Sequence, residues 1–227
     1  LRYGIPYTVF MIFNKASFLN FFILFFTFLN SLNARPVSYQ DSWTFMTYNN
    51  YDSHSSIVHY SPTSKYSFGY KLEYWQSKEY FLNSVNLNYL IKRINKKYSQ
   101  ANLYVKSGLG IMSSDFKDYE DKNELAGHVE IASDWETRRY FVSYFSKVIK
   151  SESIDNTYMQ HGRLGIAPYI ADYGKIHTWI MYELKHMPEM NDTLSSGVIL
   201  RFFKSTNMIE LGIDEKKNLA FNFIKRF

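Results

Sequence analysis

Apolar and polar residues alternate along most of this chain with a period of two. Tyr66, Phe68, Tyr70, Leu72 and Tyr74 alternate with Ser67, Gly69, Lys71, Glu73 and Trp75. In an extended strand these two sets point to opposite faces. The same rhythm sets Val85, Leu87, Tyr89 and Ile91 against Ser84, Asn86 and Asn88. It sets Ala101, Leu103, Val105, Leu109 and Ile111 against Asn102, Tyr104, Lys106, Gly108 and Gly110, and Leu125, Val129, Ile131 and Trp135 against His128, Glu130 and Asp134. In the second half, Leu164, Ile166 and Ile170 oppose His161, Arg163 and Gly165. Ile176, Ile180, Tyr182 and Leu184 oppose His177, Glu183 and Lys185. Leu194, Val198, Leu200 and Phe202 oppose Ser195, Gly197 and Arg201, and two shorter segments follow around Glu210 and Asn222. Segments 43–49, 56–60 and 139–150 are less regular, the last being apolar on both faces in places. The pattern predicts about twelve strands.

Many of these segments run to ten residues or more, the length a tilted strand needs to cross a bilayer. Their connections also alternate. Residues 61–64, 135–138, 172–174 and 204–207 read as short turns, whereas 113–123, 150–157 and 186–192 read as longer, charged loops. Short turns at one end and long loops at the other are typical of transmembrane barrels. The predicted fold is all-β: an antiparallel up-and-down transmembrane β-barrel of about twelve strands over residues 35–227. A soluble sandwich or lipocalin-like barrel also alternates, but turns its apolar set inward. Periodicity alone does not separate the two.

Residues 18–29 are the most apolar stretch, preceded by Lys15 and followed by small and polar residues up to Ala34. This order predicts a secretory signal over residues 1–34, cut after Ala34, with Met11 as a candidate start. A single anchoring helix is the competing reading. The apolar run is shorter than the roughly 20 residues of a membrane span, and Asn20 interrupts it.

The chain ends Phe221-Asn-Phe-Ile-Lys-Arg-Phe227. A last strand with alternating aromatics and a terminal Phe resembles the C-terminal signature of bacterial outer-membrane β-barrels. Phe221, Phe223 and Phe227 carry the match, and Lys225 departs from it, since an apolar residue is usual there. The resemblance implies outer-membrane lipid as surroundings and the barrel-assembly machinery as a partner that reads these three residues. Three shorter segments, Ala34–Tyr39, His59–Thr63 and Lys65–Tyr70, resemble parts of uncharacterised exported proteins associated with heavy-metal efflux.

Composition adds constraints. Aromatic residues reach 19%, which suits strands and a membrane interface. There is no cysteine, so disulfides, thiolate zinc sites and cysteine nucleophiles are excluded. The net charge of +5 falls to +3 outside residues 1–34, with bases scattered among acids. No basic stripe marks a nucleic-acid path.

The polar set contains Lys71, Glu73, Lys106, His128, Glu130, Arg163, Glu183, Lys185, Arg201 and Glu210, which in a membrane barrel would line the lumen. They imply either a selective pore or a sealed, salt-bridged core. His54-Ser55 offers ingredients of a hydrolase triad, but no Gly-x-Ser-x-Gly elbow is present. His177 and Met181 share a strand face, and imidazole with thioether suits copper. His186-Met187-Pro-Glu-Met190 adds similar residues in a predicted loop. The expected activity is non-enzymatic and without a cofactor: passing or binding small solutes, metal ions among them. A sealed envelope-integrity barrel is the alternative, and an outer-membrane hydrolase a third reading.

Overall fold

The structure, a computed structural model, describes residues 39–227 apart from 120 and 190. The signal segment 1–34, its cut after Ala34 and the candidate start Met11 lie outside the described residues, as does Met190 of the His- and Met-bearing loop.

Among the described residues the chain forms twelve strands: β1 (Ser42–Asn49), β2 (Ser53–Ser61), β3 (Tyr66–Trp75), β4 (Tyr80–Asn95), β5 (Ser99–Ser114), β6 (Lys122–Thr137), β7 (Tyr140–Lys150), β8 (Asn156–Ile166), β9 (His177–Met187), β10 (Asn191–Lys204), β11 (Asn207–Asp214) and β12 (Leu219–Arg226). Each pairs antiparallel with the next, and β12 returns to β1 to close the barrel. The closing register runs from Thr44↔Arg226 to Asn49↔Phe221. Beyond it, the Trp43 amide donates to the Phe227 carbonyl at 2.8 Å, and the Phe227 amide donates to the Trp43 carbonyl at 3.0 Å. The terminal Phe thus completes the seam. We call the end that holds Ser42 and Phe227 the near mouth, and the opposite end the far mouth.

The orientation of the two faces excludes a soluble barrel. Leu72, Val85, Leu109, Leu125, Val129, Leu164, Ile180, Leu194 and Leu211 all project outward and are exposed. Lys71, Glu73, Asn86, His128, Glu130, Lys147 and Glu210 are buried inside. An apolar band around a polar interior is stable in hydrocarbon, where a closed wall satisfies every backbone group. Aromatic rings gather towards both ends of this band. Trp43, Tyr60 and Phe68 form a chain near one mouth, with centroids 5.2 and 5.9 Å apart, and Tyr74 packs on Phe81 at 4.7 Å near the other. Such girdles match membrane–water interfaces. Among the described residues no helix is long and apolar enough to cross a membrane.

All three less regular segments are strands. The connections differ more from expectation. Ile170 is not part of a strand: β8 stops at Ile166, and residues 167–176 form the longest connection. Pro168 explains this, because it has no amide to continue the ladder after Ala167 donates to Arg139 at 2.8 Å. The predicted turn 172–174 is one bend of this segment, with Gly174 at φ +78°. The predicted loop 186–192 contracts to 188–190, because the β9–β10 ladder continues through Leu194↔His186 to Asn191↔Met187. The expected clustering of long loops at the far mouth therefore does not hold, since the longest connection lies at the near mouth.

Leu109 sits in the middle of the apolar band on β5. Leu109→Arg is expected to cost about 2–4 kcal/mol of folding stability, read by urea unfolding in lipid vesicles. Loss of less than about 1 kcal/mol would mean that this face does not meet hydrocarbon.

Candidate functional site

All ten charged candidates face the interior, where nine separate into two networks on opposite walls and Lys185 pairs with Asp52 at the far mouth. The first is on β3, β5, β6 and β7. Lys71 Nζ lies 3.0 Å from Glu73 and 3.3 Å from Glu130, and Lys147 Nζ lies 2.7 Å from Glu73 and 3.9 Å from Glu130. Lys106 and His128 approach Glu130 at 3.7 Å each. Two carboxylates thus serve three lysines. Gly108, directly across from His128, makes room for its ring, since a Cβ there would lie 2.2 Å from His128 Cε1.

This network is dry at its centre: the Lys71 side chain is 6% accessible and Lys147 2%. An apolar cluster of Trp75, Tyr80, Leu82, Met112, Ala126, Ile149, Ile154 and Met187 covers it towards the far mouth. Ile154 belongs to the β7–β8 turn and is fully buried. Glu124 accepts from the backbone amides of Ser153 (2.8 Å) and Ile154 (3.1 Å) and from the Ser153 hydroxyl. From within, Lys78 donates to the Ile154 carbonyl at 3.0 Å and to Asp155 at 3.1 Å, while Tyr80 donates to Asp155 at 2.6 Å. The turn is clipped into the mouth as a plug.

The second network, on β8 to β12, runs as a string of alternating charge. His161 lies 3.4 Å from Glu183. Arg163 bridges Glu183 at 2.5 Å and Glu210 at 3.3 Å, and Arg201 donates to Glu210 at 2.6 Å. Asn222 donates to Glu210 from β12 at 2.8 Å. Glu210 and Asn222 are buried, whereas the other side chains keep some accessible surface, from 16% for Arg201 to 21% for Glu183. Lys106 faces them from β5 and is 34% accessible. Towards the near mouth, Arg93 donates to Asn102 and Asn102 to Asp134, both at 2.8 Å. One half of the lumen is therefore packed and dry, while the other holds a lane of charged groups that keep some accessible surface. A second apolar cluster, Phe141, Ala167, Trp179, Met181 and Ile199, packs beside the lane towards the near mouth, with Arg201 over the Phe141 ring.

His177 and Met181 both point inward on β9. Met181 is buried in that second cluster, and the His177 ring lies 6.4 Å from Phe203. Among the described residues no group of three or more His, Asp or Glu side chains is arranged to hold a metal ion. His54 and Ser55 are strand neighbours pointing to opposite faces: His54 is exposed beside Asn49 and Gln76, whereas Ser55 is buried. They form no catalytic pair. Phe221 faces outward on β12, and the Phe223 ring lies 6.5 Å from Phe45 across the seam.

Lys147, Asp155 and Asp52 are lumen residues that the alternation does not single out. Lys147 shares a face with Phe141, Phe145 and Ile149 in a strand apolar on both sides, which hides its direction. Asp155 and Asp52 belong to turns, where period two carries no information.

No protein-family model matches the chain, and no curated protein matches it. Solved barrels show limited likeness. A KdgM porin in complex with disordered oligogalacturonate is 10% identical, with 82% of this chain and 98% of that one aligned at a TM-score of 0.49. Acinetobacter baumannii OccAB4 is 12% identical over 81% of this chain and 57% of its own, with a TM-score of 0.40. The outer membrane protein Omp33 of Acinetobacter baumannii is 9% identical over 85% and 99%, with a TM-score of 0.38. At these identities and scores, the activities of those proteins say nothing about this one.

Glu130 is the acid shared by most bases of the dry network. Glu130→Ala is expected to destabilise the folded barrel by about 3–5 kcal/mol by leaving buried lysines underpartnered. Adding Lys71→Met should recover much of that loss in the same unfolding assay. No recovery would mean that Glu130 acts through packing and not through charge.

Proposed function

We propose that the protein is a non-enzymatic barrel of a bacterial outer membrane that passes small polar solutes through its lumen. The observation that carries this reading is the lane of solvent-reachable charged side chains along β8–β12, inside a wall whose outer face is apolar. A barrel sealed for structure alone gains little net stability from buried ion pairs. Here half of the interior is filled and dry, and charged groups of the other half keep accessible surface.

The closed wall and its aromatic girdles support the outer-membrane location. Phe221 and Phe223 lie on β12, and Phe227 follows it and makes the final backbone pairing of the seam with Trp43. We propose these three as the segment read by the barrel-assembly machinery. The solute class supported by the lane is small and polar, since its inward groups are carboxylate, guanidinium and ammonium. Metal ions as solutes have no grouped ligand set behind them among the described residues.

The sealed barrel remains the specific competitor, because the dry network and the two apolar clusters fill much of the lumen. Planar-bilayer recording on the purified full chain separates the two. We expect discrete steps smaller than those of the wide 16–18-stranded porins, whose lumen is an open aqueous channel. Absence of steps over a range of voltages and salts would favour the sealed barrel.

A further inference from the structure

The far mouth is crossed by a contact between strands that are not neighbours. Residues 50–52 form the β1–β2 turn, and the Asp52 carboxylate there accepts from Lys185 Nζ of β9. Three strands, β10, β11 and β12, separate β1 from β9 around the wall. The contact therefore reaches over the opening and does not follow the ladder. The turn is held ready for this. The amides of Asp52 and Ser53 both donate to Asn50 Oδ1 at 2.9 Å, and the Gln76 amide donates to the Asp52 carbonyl at 3.0 Å.

Lys185 sits at the head of the lane. Two residues before it on β9, deeper in the lumen, is Glu183, followed by Arg163, Glu210 and Arg201 in the string of ion pairs. The Asp52 strap is the polar closure of this half of the mouth, as Ile154 is the apolar closure of the other half. The two closures differ in how readily they open. Ile154 is fully buried, whereas the Asp52 and Lys185 side chains are 27% and 17% accessible. Partly solvated ion pairs are weak, and exchanging one carboxylate for another at an ammonium is close to neutral. Breaking the dry Lys71–Glu73–Glu130–Lys147 group would strand buried charge at several kcal/mol.

We propose that Asp52 is a tethered anion that closes the lane by occupying Lys185, and that small anionic solutes, of carboxylate or sulfonate type, enter by taking its place. With Asp52 displaced, the lane presents Lys185, Arg163, Arg201 and Lys106 against Glu183 and Glu210, and Glu130 is shared with the dry lysines. An excess of positive charge in a confined path favours anions. The proposal rests on the reading of the lumen as a solute path.

The absence of cysteine makes the test direct. Met46 lies on β1, half-buried, on the strand face of the buried Ser42 and Thr44, and its sulfur accepts from Tyr48 at 3.4 Å. Met46→Cys in the full chain, in lipid vesicles with reagent supplied to one face and then to the other, is labelled with the anionic reagent sulfonatoethyl methanethiosulfonate or its cationic trimethylammonium counterpart. Protease resistance of each variant serves as the folding control. We expect Asp52→Asn to raise the anionic labelling rate at least fivefold, and anionic labelling to exceed cationic in that background. The charge swap Asp52→Lys with Lys185→Asp is expected to return labelling to the slow rate. Equal rates with and without Asp52→Asn, or faster cationic labelling, would overturn the strap while leaving a solute path in place. A cysteine that stays unlabelled in every folded variant, but reacts fully once denatured, would overturn the strap and the solute path together.

Discussion

In hydrocarbon a backbone amide has no water to fall back on, and each unpaired group costs several kcal/mol. The whole structure depends on meeting that constraint by closing the ladder of β1 onto β12. The seam is six register pairs long, extended by the reciprocal Trp43–Phe227 bonds. Once the wall closes, strand alternation sends most leucines and valines to the lipid face and the lysines and glutamates inward to one another, with Trp75, Tyr80, Leu82, Phe141 and Trp179 packed inside as apolar clusters. The inverted distribution of polarity is a consequence of closure in lipid and not a separate design feature.

The interior then faces its own cost. Ionisable groups removed from water must be paired and hydrogen-bonded, and the two networks do this in different ways. Around Glu73 and Glu130, three lysines converge from three strands, and the Ile154 turn and Trp75–Tyr80 cluster exclude solvent. Around Glu183 and Glu210, Arg163 joins two acids in series, and Arg163 and Glu183 keep accessible surface. One wall is consequently a fixed buttress, and the other is where charged groups can exchange partners. The proposed solute path follows the second, because exchange needs solvent and weakly held pairs.

Much of this was legible from residue order, for definable reasons. Period two is a property of each strand alone, so the inward direction of Lys71, Glu130, Arg163 and Glu210 follows from neighbours such as Leu72, Ile131, Leu164 and Leu211. Pairing partners are a property of the closed wall, so nothing local joins Lys147 to Glu73 or Asn222 to Glu210. Lys147 is hidden further because its strand is apolar on both faces. Pro168 was readable as a strand terminator, yet Ile170 beyond it keeps the alternation in phase and disguises the break. Asp52 and Ile154 act through turns whose direction depends on what lies across the mouth.

The central claim is that this chain is a closed barrel with its apolar face in lipid. Gel mobility in SDS of the membrane fraction, boiled against unboiled, tests it most directly. A closed wall with every backbone group paired resists SDS until heated, so the account predicts a faster, compact band before boiling, recovered with the outer membrane. A single band at the boiled position, with the protein in the soluble fraction, would contradict it.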